Sequence, residues 1–136
     1  MLDDLHKIDY IHAKLDAADN AIFKAVNRPH PSLSFDDILD GIHEVKIHTK
    51  HLILQMMFVA ENKDSAKEMA QLAKEIQPEE VHINTPLRYC PVPPLSKEDI
   101  TTIESFFNGI PTKSVYTSTK PHTTPINEEE VKKRRK

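Results

Sequence analysis

Lys14, Asp16, Gln55, His82 and Asn84 are the side chains in this sequence whose types and spacing suit ligand chemistry. Tyr10, His12, Lys14 and Asp16 alternate with Ile11, Ala13 and Leu15, so in an extended segment the polar members share one side. Gln55 interrupts an apolar run from Leu52 to Val59, and His82 and Asn84 alternate with Val81 and Ile83. Strands of a parallel sheet covered by helices normally read apolar on both faces. Here one face carries amides, imidazoles and an ammonium, and polar groups at the carboxyl ends of parallel strands are where α/β proteins take ligands. Left buried and unpaired, each would cost about 1–3 kcal/mol, so a ligand or a hydrogen-bonded network is expected, unless an open face leaves them in water.

The elements that position these groups follow from periodicity and punctuation. A strand is expected over 10–15, then a short helix capped by Asp16 or Asp19 and stopped by Asn27-Arg-Pro-His-Pro31. Ser34-Phe-Asp-Asp37 resembles a capping box and opens a helix with Ile38, Ile42 and Val45 in register. A buried strand is expected over 52–59. Ser65 to Ile76 carries one apolar stripe, from Ala66 to Ile76, and Pro78 follows it. Val81 to Thr85 reads as a strand and the four prolines from Pro86 to Pro94 as an extended loop. Ser96 starts a helix that Gly109 and Pro111 close, and a last strand is expected over 113–117. The strand starts lie roughly 30–40 residues apart, which suits βα units and a parallel sheet. The fold class is α/β, either part of a (β/α) barrel or a small open sheet. Residues 1–117 form the α/β part and 118–136 a polar, charged extension.

Composition excludes several chemistries. The 136 residues carry a formal net charge of −3 and only two glycines, Gly41 and Gly109, so no glycine-rich phosphate loop can be built. One cysteine, Cys90, precludes an internal disulfide or a multi-cysteine metal centre within the chain. His43-Glu44 begins like a zinc-protease motif, but Ile47 stands where the second histidine belongs, and His48 and His51 read as surface residues. Cys90, among prolines, reads as an unreactive thiol. No secretory signal or membrane span is expected, which makes the cytoplasm the expected location.

Leu15-Asp-Ala-Ala-Asp, Asn27-Arg-Pro, Met56-Met-Phe-Val ahead of Asp64-Ser, and Val81-His-Ile-Asn-Thr-Pro-Leu-Arg88 resemble, in order and spacing, the later half of radical S-adenosylmethionine iron–sulfur oxidoreductases. The likeness is to the branch that includes tRNA wyosine-synthesis enzymes. It implies about four parallel strands from the later part of a partial (β/α) barrel. It implies S-adenosylmethionine and a 4Fe-4S cluster as cofactors, the cluster held on a Cys-x3-Cys-x2-Cys loop that this sequence lacks. By the same resemblance Lys14, Asp16, Gln55 and Asn84 meet the cofactor, and Arg88 and His82 approach substrate. Glu61, Lys63 and Tyr89 depart from the family's usual glycine, asparagine and proline, and Gln55 replaces a carboxylate. The chain is then a fragment inactive alone, depending on an amino-terminal partner that carries the cluster loop or self-associating through an open strand edge. The alternative is a stand-alone α/β binding or scaffold module without cofactor. RNA is a further partner class, through the basic end Lys132–Lys136.

Overall fold

A computed structural model describes residues 2–119, apart from the side chain of Asp3. The extension 120–136, with its basic end, lies outside the described residues. The elements alternate: β1 (Tyr10–Lys14), α1 (Asn20–Asn27), α2 (Phe35–His48), β2 (His51–Met57), α3 (Ala66–Ile76), β3 (Glu80–Asn84), α4 (Lys97–Phe106) and β4 (Thr112–Ser114). Short 3-10 turns cover Leu2–Lys7 and Lys63–Ser65. The four strands form one parallel sheet in the order β1-β2-β3-β4, so each crossover carries at least one helix to a neighbouring strand.

Local chemistry sets the helix ends. Asp19 Oδ1 accepts the Ile22 N–H at 2.8 Å and caps α1. Ser34 and Asp37 form the reciprocal capping box of α2, with Ser34 Oγ accepting the Asp37 N–H at 3.2 Å and Asp37 Oδ2 accepting the Ser34 N–H at 2.8 Å. Ser96 Oγ caps α4 by accepting the Asp99 N–H at 3.0 Å. Arg28 and Gln77, rather than glycines, adopt the left-handed conformation that closes α1 and α3, with φ of 46° and 54°. Ser65 makes no capping bond, because the 3-10 turn ahead of α3 supplies its entry.

Two strands are also corrected. β2 ends at Met57 rather than 59: the Phe58 N–H crosses to Asn84 O at 2.7 Å and the Val59 N–H to Asn62 Oδ1 at 2.8 Å, which turns the chain into the following loop. β4 covers only Thr112–Ser114, because Thr117 Oγ1 and the Ser114 carbonyl take part in a turn, with the Ser118 N–H donating to Ser114 O at 3.0 Å.

Leu52, Leu54 and Met56 of β2 and Val81 and Ile83 of β3 point to one face, where Ile42, Met69, Ala70, Ala73, Ile100 and Ile103 from the helices close over them in a single core. Phe58 and Phe107 meet edge-on with ring centres 6.4 Å apart, locking the end of β2 to the end of α4. The opposite face belongs to Tyr10, His12, Lys14, His51, Ile53, Gln55, Glu80, His82, Asn84 and Lys113 by register and alternation.

Candidate functional site

The open face is organised in rows across the sheet. Lys14, Gln55, His82 and Lys113 are register partners on four successive strands, so one row of donors crosses the whole sheet. Met57 and Asn84 form the next row toward the carboxyl ends, and His12, Ile53 and Glu80 the row below. Strand alternation alone produces this arrangement, since each polar residue is two positions from the next.

Most of these groups are paired. Glu80 lies between His82 Nε2, 2.5 Å from its Oε1, and Lys113 Nζ, 2.9 Å from its Oε2. The Lys113 ammonium first, and the His82 ring second, hold the Glu80 carboxyl below its ordinary value of 4.5. Tyr10 stacks on His51 with ring centres 4.8 Å apart, and His51 bonds Glu79.

Beyond the carboxyl end of β1, Asp16 is 5% exposed and fully engaged. Its Oδ1 accepts the Met57 N–H at 2.8 Å, and its Oδ2 accepts from Asn27 Nδ2 at 3.2 Å and faces Lys14 Nζ at 3.2 Å. Asn62, wholly buried, donates through Nδ2 to Asp16 O at 2.8 Å and Met57 O at 2.9 Å while its Oδ1 takes the Val59 N–H. Together the two residues tie the ends of β1 and β2 to the loop after β2. Breaking one buried bond of this set and orphaning its partner costs about 1–3 kcal/mol.

Of the residues singled out from sequence, Lys14, Gln55, His82 and Asn84 share the open face, while Asp16 is a brace at its upper edge. Arg88 is exposed in the proline-rich loop after β3. A shallow cleft of about 550 Å³ lies over the carboxyl ends, lined by Lys14, Asp16, Arg28, Met57 and Cys90 among others. Gln55, His82 and Asn84 stand beside that cleft on the sheet rather than within it. Asn62 and Arg28 escaped the sequence reading. Asn62 sits in a stretch that reads only as a turn, and its partners are set by tertiary structure; Asn27-Arg-Pro did mark the Arg28 turn, but prolines explained it without a left-handed residue.

Among the described residues no group of three or more His, Cys, Asp or Glu gathers as a metal site, and no helix is long and apolar enough to cross a membrane. No protein-family model matches the chain. It is 33% identical over 118 residues to the UPF0026 protein MJ1312 of Methanocaldococcus jannaschii, a match that takes in 79% of this chain and 36% of the relative. The chain thus spans little more than a third of the length of the curated relative to which it is similar.

Proposed function

We propose that this chain is part of the S-adenosylmethionine and substrate wall of a radical S-adenosylmethionine oxidoreductase, its four strands being the later staves of a partial (β/α) barrel. The observation that carries the reading is the one-sided sheet: helices cover one face, and the other presents a donor row with an open cleft at the carboxyl ends. A half-barrel has this form, because its uncovered face is the inside of the closed structure.

The residues present fit the two cofactors unequally. A small polar ligand suits the cleft, whose volume lies within the roughly 300–1,000 Å³ usual for such sites. Lys14 would offer an ammonium to a carboxylate, and the Gln55 and Asn84 amides would offer donors and acceptors to hydroxyls or a base edge. Asp16, with both oxygens engaged, would act by holding Lys14 and the β2 backbone in place. A four-iron cluster does not fit, because it takes several thiolates and this chain has one cysteine. The thiolates would come from an amino-terminal segment or partner chain lying along the free edge of β1, where unpaired backbone groups invite a further strand. Arg88 and His82 remain the groups proposed to face substrate.

A calorimetric titration with S-adenosylmethionine tests the reading. Saturable heat that Q55A and N84A together abolish supports it; heat unchanged by both substitutions overturns it. One observation favours the rival, a cofactor-free α/β binding or scaffold module. No buried side-chain nitrogen or oxygen among the described residues lacks a hydrogen-bond partner, so no buried group requires a ligand to satisfy it. Absence of any heat would select that module.

A further inference from the structure

His12 of β1 and His82 of β3 are separated by the whole of β2, yet their rings meet above Ile53 with centres 5.3 Å apart and planes at 65°. Ile53, the register partner of His12 and Glu80, faces away from the core yet is only 8% exposed. Two imidazoles that each give one nitrogen to a tetrahedral ion at roughly 2.0–2.1 Å have ring centres roughly 5 Å apart, close to the spacing seen.

The surroundings of His82 fit the same chemistry. Its Nε2 lies 2.5 Å from Glu80 Oε1, and the other oxygen of that carboxylate is held by Lys113 Nζ at 2.9 Å. In the tautomer that donates Nε2–H to Glu80, Nδ1 carries the free lone pair. A carboxylate fixing the far nitrogen is the usual companion of a metal-bound histidine.

We propose that His12 and His82 chelate a borderline divalent transition-metal ion, of the Ni²⁺, Cu²⁺ and Zn²⁺ group, with Glu80 as the positioning residue. Imidazole pairs suit these ions, whereas Mg²⁺ and Ca²⁺ require oxygen ligands. Since no third ligating side chain gathers there among the described residues, water or a bound ligand completes the coordination, and the ion is exchangeable. The inference rests on the geometry of His12, His82 and Glu80 and does not depend on the cofactor reading above.

The test is a titration of the full untagged chain with Ni²⁺ alone, read by calorimetry and by broadening of the histidine ring resonances in NMR. One equivalent should bind, with the His12 and His82 rings broadening first. H12Q and H82Q should each weaken binding at least tenfold, E80Q roughly tenfold or more while both histidines remain, and H43Q not at all. Circular dichroism confirms that each variant is folded. Affinity unchanged in H12Q and H82Q, or broadening spread evenly over all histidine rings, overturns the proposal.

Discussion

Leu54 and Gln55 are neighbours in β2 and opposite in consequence. Leu54 is completely buried against the helices, and its contribution comes from apolar area and close packing. Gln55 points to the other face, half-buried between Lys14 and His82, where nothing packs upon it from another layer. The same alternation repeats in β3, where Val81 and Ile83 enter the core while Glu80, His82 and Asn84 stand on the open side. One face of the sheet is therefore committed to folding, and the other holds polar groups in place without being needed for the core. This division teaches where substitutions should be felt in stability and where in binding.

The largest effect should come from the covered face. L54A should lower unfolding free energy by about 2–5 kcal/mol, measured by urea denaturation, because the neighbouring helices relax only partly into the cavity. A cost below 1 kcal/mol would break the comparison. Next is the brace at the sheet's upper edge: D16A should cost about 1–3 kcal/mol by orphaning the Met57 N–H, although the residue reads from sequence as a ligand contact. A helix end comes third, since S34A removes the α2 cap and should cost about 1 kcal/mol. Q55A, on the open face, should change stability by no more than about 0.5 kcal/mol, and its effect should appear in ligand titrations instead.

The smallest effect concerns acid. Glu80 is held below its ordinary value of 4.5 by Lys113 and then His82, so the folded state binds its proton more weakly than the unfolded chain. Its contribution is fully present above the unfolded value and is lost as pH falls through the lowered folded value. Wild type should therefore lose slightly more stability than E80Q between pH 5 and 3, seen as a modest convergence of their melting temperatures. Parallel curves would contradict the pairing.

The elements legible in the sequence are those encoded by near neighbours. The capping box of α2 involves residues three apart, and the stripe of α3 from Ala66 to Ile76 repeats over three turns, so both can be read without the fold. Alternation in β1 and β3 likewise revealed which side chains share a side. The ends of β2 and β4 were not legible, since Phe58 and Val59 are as apolar as the strand before them. Their departure is set by bonds to Asn84 and Asn62. Asp16 was found as a notable residue, but its engagement was invisible because its Met57 partner is 41 residues away. The His12–His82 arch was hidden for the same reason: their meeting depends on strand order and on the small height of Ile53 between them.

The division of labour between the two faces is tested most directly by mapping backbone amide shifts in NMR as S-adenosylmethionine is added to the full chain. The account predicts shifts concentrated at Lys14, Gln55, Met57 and Asn84 and in the adjoining cleft, with the α3 and α4 amides unmoved. Shifts centred on the helices, or none at any residue of β1 to β3, would contradict it.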